Sequence, residues 1–142
     1  MHSGKRFSDP DAAGMVVVGP AGVVIDKAEL EVLLRTQAEK LVAQVAIEIF
    51  RARRRLDRLS GEVRTSVKAL EDSITRMEDV LIQHDVRLHT HDGESYDNGL
   101  AVEVIEASGA TDHQVVTETI TPTVTWQGRV VSRAQVVIGP SR

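Results

Sequence analysis

A stripe of apolar residues at helical spacing runs through the middle of the chain. From Leu34 to Leu81 the apolar positions recur in steps of three and four, with a mean spacing of about 3.6 residues. This period predicts one long helix over residues 27–88. Asp26 precedes it, with Glu29 three places on, a pattern that resembles a capping box. The other faces of the helix are charged, so the apolar stripe needs a second helix to cover it.

Two arrangements would cover the stripe. One is a hairpin within the chain, broken at Ser60 and Gly61, where a serine could cap a new helix and glycine weakens the old one. The other is a continuous helical stalk that pairs with a second copy and leaves a terminal β sheet projecting freely. Because the helical spacing of the apolar residues continues across Ser60 and Gly61, we favour the continuous or slightly kinked stalk and a homodimer. The predicted dimer seam consists of Leu34, Leu41, Val45, Ile49, Leu56, Val63, Val67, Leu70, Ile74, Met77 and Leu81.

Alternating polar and apolar positions replace the helical period after Leu88. Residues 100–107 and 114–126 alternate as strands, and Pro122 marks an edge or a bend because proline cannot donate to a ladder. Gln127 and Gly128 predict a two-residue turn, followed by a last strand over 129–138. Residues 89–142 are therefore predicted to form a small antiparallel β domain. The predicted fold class is α+β, a long helical coiled-coil stalk followed by this domain.

The N-terminal part of the chain predicts little regular structure. Residues 1–14 are polar and rich in small residues, and we expect them to be disordered. Residues 15–26 contain two β-branched runs around a glycine–proline segment, which predicts a short β hairpin or an extended segment.

Composition narrows the classes of function. The chain has 142 residues, a net charge of −4 and no cysteine, so neither a disulfide framework nor a cysteine-based zinc site is possible. Residues 89–142 carry seven acidic and three basic side chains, which argues against nucleic acid as a partner. No apolar run approaches the length of a membrane span, and we expect a cytoplasmic protein without a membrane partner.

Two clusters of side chains suggest chemistry. His84, His89, His91 and Asp92 lie close together in the sequence, but no further ligand is evident, so no metal site is predicted. The second cluster consists of arginines interleaved with acidic residues at helical spacing, which predicts a solvated charged face rather than a nucleic-acid site. Its members are Arg51, Arg53, Arg54, Arg55 and Arg58.

The sequence predicts a binding protein rather than an enzyme. It contains no cysteine nucleophile, no nucleophile elbow and no glycine-rich phosphate loop. Glu103 and Glu106 are three residues apart on a predicted strand, hence on opposite faces, and make a poor acid–base pair. We therefore predict neither a catalytic residue nor a cofactor.

The C-terminal residues resemble a known family. "GESYDNGLAVEV" and "TWQGRVVSRAQVVIG" are similar to the C-terminal β domain of GrpE-type nucleotide exchange factors, and "LIQHDVRL" is similar to the approach to that domain. Tyr96 and Asp97 match the opening of the family's domain, and Gly128 and Arg129 match its closing turn. The chain departs from the family pattern at Asn98, Ala101, Val124 and Ser132, and its helical segment is shorter.

The resemblance implies a co-chaperone without enzymatic activity. Members of that family pair long helices in a dimer and use the β domain to bind the nucleotide-binding domain of a DnaK-type (seventy-kilodalton heat-shock) chaperone, which promotes ADP release. By this resemblance, the partner-binding residues are Trp126, Gln127, Gly128, Arg129 and Arg133. The alternative is a structural coiled-coil dimer or adaptor with a β cap and no exchange activity.

Overall fold

The computed structural model describes residues 16–18, 24–97, 99–109 and 113–141. The predicted disordered segment, residues 1–14, lies outside them. The chain divides into two compact units, one up to Glu39 and one from Lys40 onward.

The described part of the first unit contains a strand pair and the start of a helix. Strands β1 (Val16–Val18) and β2 (Val24–Asp26) pair antiparallel, in the region where the sequence predicts a hairpin or an extended segment. Helix α1 (Lys27–Asp57) follows directly. The Asp26 carboxylate accepts a hydrogen bond of 2.9 Å from the Ala28 backbone amide, so the predicted acidic cap is present.

The helical region is broken, and the prediction of one continuous helix over residues 27–88 is wrong. Helix α2 (Gly61–Ser66) and helix α3 (Lys68–Gln83) follow α1. Ser60 has extended backbone angles, φ −66° and ψ 157°, which end the helical path before Gly61. The chain then reverses, since Arg53 bonds to Glu78, 25 residues further along the chain. Within the second unit the chain therefore forms the antiparallel helical hairpin that the sequence offered as the alternative.

The reversal divides the predicted seam into two sets. Ile49, Leu56 and Ile74 are buried within the single chain. Val67 and Leu81 are half-buried. The exposed members are Leu34, Leu41, Val45, Val63, Leu70 and Met77. One chain thus covers only part of the apolar stripe.

The β region begins earlier than predicted. Helix α3 ends at Gln83, and Asp85 adopts a positive φ of 58°, a left-handed conformation that aspartate tolerates better than most residues. Strand β3 (Val86–His89) follows, so residues 84–88 are not helical as the prediction required.

Two small sheets form the rest of the second unit. The further strands are β4 (Ser95–Tyr96), β5 (Val102–Ala107), β6 (Gln114–Thr121), β7 (Thr123–Trp126), β8 (Arg129–Ser132) and β9 (Ala134–Pro140). The three-stranded sheet has the order β3-β7-β8 and the four-stranded sheet the order β4-β6-β9-β5. Pro122 lies between β6 and β7, where the chain passes from one sheet to the other, so it is the predicted bend. Strands β5 and β9 are parallel, so the prediction of a wholly antiparallel domain is wrong.

Each sheet has its own apolar core. Val116, Ala134, Val136 and Ile138 are buried in the four-stranded sheet, with Tyr96 packed against them. In the three-stranded sheet, Val86 and Val124 form a cluster with Ala46 of α1, and other residues of both helices join it. The expectation that the β domain projects freely from the helices is therefore wrong, because a sheet packs on the chain's own helical hairpin.

Bulges in β6 change which side chains face inward. The pairing of β6 with β9 shifts register twice, between Val116 and Glu118 and between Thr119 and Thr121. As a result Thr119 and Thr121 are buried, and so is Val124. Strict alternation would place the two threonines on the face opposite Val124. The Thr119 hydroxyl accepts a hydrogen bond from the His91 backbone amide, and the Thr121 hydroxyl accepts one from the Gln135 backbone amide.

Candidate functional site at the β7–β8 turn

The turn between β7 and β8 is the centre of the predicted contact surface. Gln127 and Gly128 have positive φ angles of 52° and 79°, which is the conformation of a two-residue type I′ hairpin. The turn is the one predicted, and Gly128 supplies one of its two positive φ angles. Gln127 also donates its backbone amide to the Asp85 carbonyl at 3.0 Å, which ties the turn to the end of the helical hairpin.

The turn presents a mixed apolar and basic surface. Trp126 pairs with Arg129 across the hairpin and with Val86 on the other side. Its side chain is half-buried against the core of the three-stranded sheet, whereas Arg129 and Val130 are exposed. A cleft of about 530 Å³ lies beside it. Tryptophan and arginine at an exposed edge are the residue types that dominate protein–protein contacts.

Arg133 lies apart from the other predicted contact residues. It follows β8, at the strand end opposite Arg129, and is exposed. It lines a different cleft of about 650 Å³, together with Glu48 and Arg51 of α1 and Glu103 of β5. The structure brings together Trp126, Gln127, Gly128 and Arg129 but not Arg133.

Three of the five clustered arginines bond within the chain. Arg51 pairs with Glu48 at 2.6 Å on α1. Arg53 donates two hydrogen bonds to Glu78, which raises the pKa of Arg53 above its ordinary value. Arg54 bonds to the Thr119 carbonyl and lies 3.8 Å from Glu118, so it joins α1 to the four-stranded sheet. Arg53 and Arg54 thus hold the second unit together rather than forming the solvated face that was predicted.

A second cluster of side chains surrounds the start of β4. His89 and His91 lie beside Glu94, with each imidazole within 3.3 Å of the same carboxylate oxygen. The sequence singled out both histidines but not Glu94. Glu94 lies beside the two histidines because Gly93, with φ 81°, turns the chain back toward β3. The sequence signal that could have identified Glu94 is a histidine pair followed by a glycine turn and a glutamate.

The described residues define an α+β protein in which a β hairpin presents an exposed turn beside a helical hairpin. Comparison of the chain with protein-family models, with curated proteins and with solved structures finds no match. Among helices in the described part of the chain, none combines the length and the apolar character needed to cross a bilayer.

Proposed function

We propose that this chain is a cytoplasmic nucleotide exchange factor of GrpE type. It binds the nucleotide-binding domain of a DnaK-type chaperone and promotes ADP release. One observation carries the proposal: the residues of the resemblance at the closing turn form an ordered, exposed hairpin tip with Trp126 at its base and Arg129 at its edge.

The exchange requires binding energy and no bond chemistry. The tip binds the open form of the nucleotide cleft more tightly than the closed form, so the open population rises and ADP loses contacts. A ligand shifts such an equilibrium only by its differential affinity for the two forms. The turn is suited to this because Gly128 and the Gln127–Asp85 hydrogen bond fix its shape before it meets the partner.

Packing of the three-stranded sheet on α1 changes how the tip is supported. The tip stands on a compact unit of helices and strands instead of on a free domain at the end of a stalk. This packing removes the freely projecting sheet on which the sequence-based form of the proposal depended, so the hairpin tip alone supports it.

Release of fluorescent ADP from a DnaK-type chaperone tests the proposal. We expect the protein to accelerate release, and Arg129→Ala to raise the concentration needed for half-maximal effect roughly tenfold, which corresponds to about 1.4 kcal/mol. Arg58→Ala is the matched control, since it removes the same charge from an exposed position on the helical hairpin. No acceleration by the wild-type protein at saturation, or equal effects of the two variants, would contradict the proposal.

The second candidate function is a structural dimer or adaptor, and the exposed helical residues favour it. Leu41, Val63 and Leu70 expose 62 %, 47 % and 54 % of their surface on the helical hairpin. A second copy could cover them, since two helical hairpins form a four-helix arrangement with apolar residues inside. The homodimer is part of both functions, so dimerisation without ADP release selects the structural one.

A further inference from the structure

His89, His91 and Glu94 form a cluster with the composition of a metal site. One ligand atom from each lies within 4.8 Å of the other two. Two imidazoles and a carboxylate are nitrogen and oxygen donors that suit zinc and other divalent first-row ions. From this geometry we propose that the cluster binds one divalent transition-metal ion, with Zn²⁺ as the reference ion.

The two separations from the Glu94 oxygen to the histidine nitrogens fit a tetrahedral ion, and the nitrogens lie within 4.8 Å of each other. For bonds of about 2.0–2.1 Å, neighbouring ligand atoms of a tetrahedral site lie about 3.3 Å apart. Glu94 Oε2 lies 3.3 Å from His89 Nε2 and 3.1 Å from His91 Nδ1. Three protein ligands leave one coordination position for water, on the side where the His89 side chain is exposed.

The second, independent observation is an unsatisfied buried nitrogen. His91 exposes only 8 % of its surface, and its Nδ1 is buried without a hydrogen-bond partner. The nearby Glu94 oxygen is close enough, but the two atoms are not aligned as a hydrogen bond. A buried polar nitrogen without a partner costs free energy, and coordination to an ion would satisfy it.

The other ring nitrogen of His91 has the outer partner that metal-bound histidines usually have. His91 Nε2 lies 2.7 Å from the Thr123 hydroxyl oxygen on β7. With Nε2–H donating to Thr123, Nδ1 carries the lone pair and points to the cluster. This is the tautomer that a metal bound at Nδ1 requires, and the Thr123 hydroxyl is placed to accept from it.

The backbone around the cluster is fixed before any ion arrives. Gly93 donates to the Val116 carbonyl at 2.8 Å, and Val116 donates back to the Glu94 carbonyl at 2.9 Å. The His91 amide donates to the buried Thr119 hydroxyl at 2.9 Å. These bonds pin the loop to β6, so little ordering is lost when the ion binds.

The ion would join the two sheets. His89 ends β3 of the three-stranded sheet, and Glu94 directly precedes β4 of the four-stranded sheet. Binding would therefore stabilise the folded β region, because the unfolded chain does not hold the three ligands together.

Titration of the full chain, without an affinity tag, tests the site. After chelator treatment, calorimetric titration with Zn²⁺ is expected to give one ion per chain, and Tm is expected to rise with Zn²⁺ and return with chelator. His89→Ala and Glu94→Gln are expected to weaken binding at least about tenfold. His89 is exposed, so its removal does not open a cavity. His84→Ala, an exposed histidine outside the cluster, is the matched control.

Co²⁺ gives a readout of geometry that a purely structural role would not change. We expect the visible absorption of a tetrahedral cobalt site in the wild type and in His84→Ala, and its loss in His89→Ala. Absence of Zn²⁺ binding by the wild type overturns the proposal, as does equal binding by all the variants. ADP release is not part of this test, so the two proposals fail separately.

Discussion

Gly128 is the residue whose conformation most limits the hairpin tip. Its φ of 79° is a left-handed conformation that costs residues with a Cβ about 1–2 kcal/mol, although a Cβ there would meet nothing within 4 Å. We expect Gly128→Ala to lower the free energy of unfolding by about 1 kcal/mol through backbone strain alone. Urea denaturation of the wild type and the variant measures this difference in the free energy of unfolding. Gly61→Ala, in open space at the start of α2 and without a positive φ, is the control and should be neutral or stabilising.

Thr123 is the residue that orients His91. Thr123→Val keeps the shape of the side chain but removes the hydroxyl that meets His91 Nε2 at 2.7 Å. If the cluster binds Zn²⁺, we expect its affinity to fall about tenfold in this variant, as outer-shell changes do at metal sites. Thr125→Val, two residues on in the same strand, should leave the Zn²⁺ titration unchanged. A similar loss in both variants would mean that the strand, and not the hydroxyl, matters.

At the scale of elements, Arg53 joins α1 to α3 by side-chain hydrogen bonds. It donates to both Glu78 oxygens, at 3.1 and 2.5 Å, with both side chains partly buried. We expect Arg53→Gln to lower the free energy of unfolding by about 1.5–3 kcal/mol, since charged hydrogen bonds are lost and Glu78 is left without its partner. Arg51→Gln breaks the exposed pair with Glu48 and should cost less than about 0.5 kcal/mol. Equal losses would contradict the assignment.

An ion pair of the helical hairpin also predicts that the free energy of unfolding falls in acid. Hydrogen bonds from Arg64 hold the pKa of Glu71 below its usual value. A carboxylate with a lowered folded-state pKa stabilises the protein above its unfolded pKa, about 4.3, and loses this contribution as the pH falls through the folded value. We therefore expect Glu71→Gln to be less stable than the wild type at pH 7 and the difference to vanish in acid. Thermal unfolding between about pH 3 and 7 measures it, with the exposed Glu62→Gln as control.

Element types could be read from the sequence, but their packing could not. The turn at Gln127 and Gly128, the bend at Pro122 and the cap at Asp26 depend on local chemistry, and all three are present. The helical reversal was missed because the apolar period continues across Ser60, so periodicity could not separate one long helix from two packed ones. Glu94 was missed because only the fold of the loop brings it to His89.

At the scale of the whole molecule, the exposed apolar residues of the helical hairpin predict self-association. We expect light scattering to give twice the chain mass of 15.5 kDa. Leu70→Lys places a charge among these exposed residues and should shift the mass toward that of one chain. Ile105→Lys alters an equally exposed residue on β5 and should leave the mass unchanged. A wild-type mass of 15.5 kDa would contradict the homodimer.

The position of β9 governs when the larger sheet can assemble. This strand, Ala134–Pro140, lies between β5 and β6 and is the parallel partner of the former and the antiparallel partner of the latter. Because β9 follows both strands in the sequence, β5 and β6 have nothing between them until β9 has been synthesised and has joined the sheet. Such non-local pairing is slow and leaves strand edges open to other chains. The chain is thus most vulnerable to aggregation in folding intermediates in which β9 has not yet inserted between β5 and β6.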